Sequence, residues 1–294
     1  MRAVFSTPNG PTRTELRDDV PVPEPAPDEA LVEVHAFAVN RGELALLAMR
    51  RRRAADGSGP PEGTRVAGLA EWHGWAEYVP VPTVRMAVLP DGVSDVQAAA
   101  LPMAGTTAAN VLRQGPQLLG ARVLVTGASG GVGRFAVQLA AIGGATVTAV
   151  ARAERADALR ALGAAGVVAA TADTPDGSFD LILESEGGAS LTAAVAKIAA
   201  RGTIVVFGNS SREPSQVGFM DFAAHGGHDA RIVSYFSFLH ASDAGRNLEL
   251  LVRLVAEGRL DPGVGLESGW EDLNDALERF ANREVSGKVV LRVS

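Results

Sequence analysis

One stretch constrains this chain more than any other. From Arg122 to Ala140 an apolar strand pattern, Arg122–Thr126, runs into a turn carrying Gly127, Gly130, Gly131 and Gly133, then into an amphipathic helical pattern. Glycine permits the sharp turn and lets the backbone come close to an anion, while the first amides of the following helix face that anion. The spacing is G-x-x-G-x-x-G, which departs from the strict G-x-G-x-x-G. On its own such a string can be a tight turn with no ligand. Here the strand before it, the helix after it and a second strand pattern at Thr146–Ala151 supply the strand-helix-strand setting that a dinucleotide-binding turn requires. Gly127, Ser129, Gly130, Gly131, Val132 and Gly133 are therefore the expected phosphate-binding residues.

The end of the second strand selects the cofactor. A site for NAD places an acid there, about 20 residues on, to accept from the ribose 2′-hydroxyl. This chain reads Ala151, Arg152, Ala153, Glu154, Arg155, with no acid at the strand tip. Arg152 and Arg155 can hold a 2′-phosphate through charge-assisted hydrogen bonds, so the expected cofactor is NADPH. The plainer alternative is a pair of solvated arginines on the next helix.

The rest of the chain falls into blocks around this turn. Residues 1–104 read as mostly β, with Leu31–Val39 alternating as one half-buried strand and prolines punctuating short strands. Residues 105–236 alternate strand patterns with helical ones: strands at Arg122–Thr126, Thr146–Ala151, Gly166–Ala169, Phe179–Glu184, Thr203–Gly208 and Arg231–Phe236, with helices starting near Gly131, Arg155 and Ser190. That alternation predicts an α/β, Rossmann-type doubly wound parallel sheet. Residues 237–294 carry helical patterns at Asn247–Glu257 and Leu273–Ala281 and a last strand at Lys288–Val293.

Composition narrows the function classes. The 294 residues include 27 Lys+Arg and 34 Asp+Glu, a formal net charge of −7, which argues against a general nucleic-acid binder. There is no cysteine, so disulfides, thiol nucleophiles and Cys-ligated metals are excluded, and five histidines make a zinc site a poor expectation. No apolar run reaches the roughly 20 residues of a membrane helix, and Met1–Phe5 leads into polar, Pro-rich sequence unlike a signal peptide. A cytoplasmic protein acting on a small molecule, with no metal, no nucleic acid and no membrane, is the expectation.

Several segments together resemble the medium-chain dehydrogenase/reductase superfamily, and within it the zinc-free quinone oxidoreductase (zeta-crystallin-like) branch. They are Leu31–Val39 followed by Asn40–Leu44, Gly63–Val66, Gly74–Val79, Leu89–Val93, Ala98–Pro102 with Thr107 and Ala108, the glycine turn, Ala161–Ala164, Phe179–Leu183 and Gly287–Leu291. The resemblance implies a split, mostly β GroES-like substrate domain around the Rossmann domain. It also implies an oxidoreductase in which Asn40 and Thr107 lie near the nicotinamide ribose and substrate, and in which Phe207, Gly208 and Asn209 meet the nicotinamide through backbone groups. His73, on a loop that faces the cleft in relatives, is a candidate acid or base. Each has a plainer alternative: a turn residue for Asn40, a helix N-terminal residue for Thr107, a surface histidine for His73.

Two departures stand out. At least one strand's length is missing between Asn40 and Gly63, where Arg50–Arg53 form a run of four arginines, and Arg50–Gly59 is expected to be mobile. Glu186 occupies a place where the family has an apolar residue beside the cofactor. The reading is an NADPH-dependent reductase of quinones or α,β-unsaturated carbonyls; the alternative is a non-redox biosynthetic protein, a cyclase or binding protein, on the same fold. Arg231–Phe236, the last strand of the parallel sheet, is expected at its edge, with a homodimer formed through residues 231–236.

Overall fold

The computed structural model describes residues 1–7, 14–40, 60–70 and 74–293. They divide into two compact units, one of residues 1–106 with 238–294, the other of residues 107–237.

The first unit is a set of short ladders. β1 (Ala3–Ser6) pairs antiparallel with β2 (Thr14–Arg17), β3 (Glu29–Glu33) with β6 (Tyr78–Pro82), and β5 (Val66–Gly68) with β7 (Met86–Val88). β4 (Ala36–Val39) pairs antiparallel with the C-terminal β15 (Lys288–Arg292), whose other side takes β14 (Val264–Gly269) in parallel. The chain's two ends thus build one core, in which Phe37 and Val39 pack with Trp75, Trp270, Leu273, Leu277, Val289 and Leu291. The Phe37 and Trp75 rings stack at 5.6 Å.

Leu31–Val39 is not one strand. It breaks at Val34 and His35, where the Val34 amide donates to the Glu77 carbonyl and the His35 carbonyl accepts from Val293. β3 and β4 therefore join different ladders, and alternation alone does not reveal a change of partner. The block read as mostly β also contains a helix at Asp95–Ala99, begun by a Ser94–Gln97 capping box, and the start of another at Pro102–Arg113. β14 had no clear sequence signal.

The second unit is a six-stranded sheet with helices between its strands. β8 (Arg122–Val125), β9 (Thr146–Val150), β10 (Gly166–Val168), β11 (Phe179–Glu184), β12 (Ile198–Val206) and β13 (Arg231–Ser234) lie in the order β10-β9-β8-β11-β12-β13. Every neighbouring pair is parallel. Strands buried on both faces read as continuous apolar runs, and Leu181, Ile182 and Leu183 of β11 are fully buried. The order reverses between β8 and β11, and in open α/β sheets ligands bind at the carboxyl ends of the strands flanking such a switch point.

β13 lies at the edge, as its place in the chain predicts. It stops at Ser234, and Tyr235 is buried, accepting from Asn110 Nδ2 at 3.1 Å. The apolar edge is therefore shorter than Arg231–Phe236, because the Tyr235 hydroxyl has a polar partner inside the unit.

Candidate cofactor and active site

The glycine turn sits at the switch point. β8 ends at Val125, and the helix Gly131–Ile142 begins after Gly130, which has no side chain to cap it. Its first amides therefore have no intrahelical acceptor and no side-chain cap. The turn admits only glycine at its tightest point: a Cβ on Gly133 would lie 2.4 Å from the Gly127 carbonyl oxygen and 2.7 Å from Ala128 Cα. Gly127 has φ +57°, and its carbonyl accepts from the Gly130 amide at 2.9 Å. Ser129, Gly131 and Val132 complete this cradle.

Phe207, Gly208 and Asn209 follow β12 on the same side of the sheet. A Cβ on Gly208 would be 3.0 Å from the Ser185 carbonyl oxygen, and one on Gly187 would be 2.1 Å from Asn209 Oδ1. The ends of β8, β11 and β12 thus come together. Arg152 and Arg155 lie just past β9, on either side of a tight turn in which the Arg155 amide donates to the Arg152 carbonyl at 3.0 Å. Both side chains are exposed and have no hydrogen-bond or ion-pair partner among the described residues.

Sequence reasoning missed the group that organises this corner. Glu184, at the end of β11, is completely buried and accepts from four donors: Thr126 Oγ1 and Ser190 Oγ at 2.9 Å, and the amides of Glu186 at 3.2 Å and Gly187 at 2.8 Å. Thr126 Oγ1 also accepts from the Ser185 amide at 2.9 Å. The Thr126–Glu184 pair ties the glycine turn to the turn after β11. The only signal in the sequence was an acid ending an apolar run.

The predicted catalytic residues are divided between the units. Thr107 is buried in the helix Pro102–Arg113 and belongs to the second unit. Asn40 follows β4 in the first unit, where buried Lys288 of β15 donates to Asn40 Oδ1 and, at 3.2 Å, to the Val39 carbonyl. An ammonium only donates, so the carboxamide oxygen is the end held by Lys288 and the Nδ2 end is the one turned away from it. His73 and the Arg50–Gly59 segment lie outside the described residues.

An open pocket of about 650 Å³ in the first unit holds none of these residues. Its Asp95 is paired with Arg65 and His35, and its Glu267 with Arg292. Among the described residues no group of three or more His, Asp or Glu could hold a metal ion. None of the described helices is long and apolar enough to cross a membrane.

Residues 161–291 match the family model for zinc-binding dehydrogenase. A quinone oxidoreductase of Pseudomonas syringae superimposes with a TM-score of 0.80 at 26 % identity, covering 99 % of both chains. The chain's fold is that of the medium-chain dehydrogenase/reductase superfamily. Another medium-chain dehydrogenase/reductase fold, a mycobacterial structure in complex with NADPH, gives a TM-score of 0.83 at 23 % identity, covering 99 % of this chain and all of that one.

Two relatives by sequence add chemical names. A phthioceranic/hydroxyphthioceranic acid synthase of Mycobacterium tuberculosis is 27 % identical over 325 residues, covering all of this chain. An acryloyl-coenzyme A reductase of Sulfurisphaera tokodaii is 26 % identical over 223 residues, covering 74 % of this chain. The chain spans 15 % of the length of the synthase and 65 % of that of the reductase.

Proposed function

We propose that this chain is a cytoplasmic, NADPH-dependent reductase that delivers hydride to an α,β-unsaturated carbonyl or a quinone. The observation that carries the reading is the uncapped glycine cradle at the switch point, with two exposed arginines past the end of β9 that have no partner among the described residues. The residues fit the cofactor. The first-turn amides from Gly131 to Gly133 suit a pyrophosphate, Arg152 and Arg155 suit a 2′-phosphate, and the Phe207–Asn209 backbone suits the nicotinamide amide.

Bound NADPH would supply the hydride. The protein's share is to bind, orient and stabilise charge. As hydride adds to the electrophilic carbon, the electron pair moves to the carbonyl oxygen. Asn40, whose oxygen accepts from Lys288, would donate an N–H to that developing enolate or phenolate. Protonation then completes the reduction, and solvent suffices as the proton source. Thr107 would position the nicotinamide ribose. The name of the Sulfurisphaera relative supports the acceptor class, since acryloyl-coenzyme A is an α,β-unsaturated thioester.

The test is to follow NADPH absorbance on adding an acryloyl or crotonyl thioester, a simple enone or a quinone. A fall with at least one acceptor is expected, and Asn40→Ala should lower kcat about 10- to 100-fold. Unchanged absorbance with every acceptor class would replace this reading with a non-redox protein on the same fold.

A further inference from the structure

Glu186 places a negative charge where this fold receives one. The Gly127 amide donates to Glu186 Oε1 at 3.0 Å. The loop is folded tightly enough that Gly127 touches both Gly130 and the position of a Cβ on Gly133. The carboxylate therefore sits on an amide of the same turn that leads into the helix start facing the pyrophosphate in the reading above.

The contact is built in. The Glu186 amide is held by the buried carboxylate of Glu184, and the Glu186 carbonyl accepts from the Ser211 amide at 2.8 Å. Gly187 and Gly188 follow with φ of +71° and +53°, a turn that side chains rarely allow. The backbone thus fixes where the Glu186 side chain starts, and the side chain reaches back over the glycine loop.

We propose that Glu186 is an intramolecular competitor for the phosphates of the dinucleotide. Its carboxylate occupies a loop amide and opposes the incoming pyrophosphate, so the chain binds its cofactor more weakly than the cradle alone would allow. The inference rests on the proposed cofactor reading and concerns the pyrophosphate, not the adenosine end. A like charge beside an anion site is expected to weaken binding by about tenfold, and salt screens that effect.

The experiment measures equilibrium binding of NADPH by its fluorescence, for the wild type, Glu186→Gln and Glu186→Ala, in about 50 mM and about 500 mM salt. Glutamine keeps an acceptor for the Gly127 amide and removes the charge. At low salt Glu186→Gln should bind NADPH about tenfold more tightly than the wild type, and the ratio should shrink toward one at high salt. Adenosine 2′-monophosphate, which lacks the pyrophosphate, should bind all three proteins alike. Thermal melts without ligand confirm that the variants fold. Equal or weaker NADPH binding by Glu186→Gln, or an equal gain for adenosine 2′-monophosphate, overturns the proposal while leaving the cofactor reading intact. Absence of NADPH binding in all three proteins overturns both.

Discussion

Arg152 and Arg155 face solvent with no partner among the described residues, and Glu184 faces the interior with four donors around it. The two cases predict opposite results. Replacing both arginines with alanine should leave stability within about 0.5 kcal/mol, since neither side chain packs or pairs. The same change should weaken NADPH binding about 10- to 100-fold, by loss of charge-assisted bonds to the 2′-phosphate, with little effect on NADH. Titration of both cofactors checks this, and equal affinities in the wild type would refute the assignment. Glu184→Ala should cost about 2–4 kcal/mol in urea unfolding, because it removes a buried acceptor shared by two hydroxyls and two amides. The arginines were visible in the sequence because an absent acid at a strand tip is a local signal. Glu184 was not, because its partner Thr126 is 58 residues away and becomes a neighbour only once β8 and β11 pair. Lys288 was hidden for the same reason, 248 residues from Asn40.

At the scale of elements, the β8–β11 pair is closed at its start by Arg122 and Asp180. The guanidinium donates to the two carboxylate oxygens at 2.9 and 3.1 Å, and the Arg122 amide donates to Oδ2 at 2.8 Å. The side-chain bond to Arg122 holds the Asp180 carboxyl below its ordinary value of 3.8, against the opposing effect of partial burial. A depressed folded pKa contributes stability that is fully present above the unfolded value and is lost as pH falls through the folded one. Asp180→Asn should therefore be less stable than the wild type by about 1 kcal/mol at neutral pH, a modest figure because the pair is partly exposed. The gap should be flat above about pH 5 and close below 3.8, as unfolding curves from pH 7 to pH 3 will show. The parallel strands themselves were legible, since a strand buried on both faces leaves a short apolar run bounded by turns. In the first unit the strands have three to six residues, and β4 finds its partner β15 across almost the whole chain. Periodicity reports which face of a strand is buried, not which strand it joins, so Leu31–Val39 looked continuous.

For the molecule as a whole, the open question is what covers the free edge of β13. The strand pairs with β12 on one side only, and Ile232 is 39 % exposed with Phe236 at 53 % just beyond the strand end. An edge with neither Pro nor Lys offers unpaired backbone groups to any second strand. A second copy of β13, related by a two-fold axis, would continue the six-stranded sheet through an interface made of the same residues on both sides. We therefore predict a homodimer through residues 231–236. Ile232→Lys tests it, because the position is exposed in one copy and the fold should tolerate the charge. Across a two-fold axis the same substitution places two ammonium groups close together on an edge that must desolvate. Light scattering at micromolar concentration should give twice 30.4 kDa for the wild type and 30.4 kDa for Ile232→Lys, with unchanged circular dichroism. A wild-type mass of 30.4 kDa would show that the edge stays open, and a dimeric Ile232→Lys would show that the copies meet elsewhere.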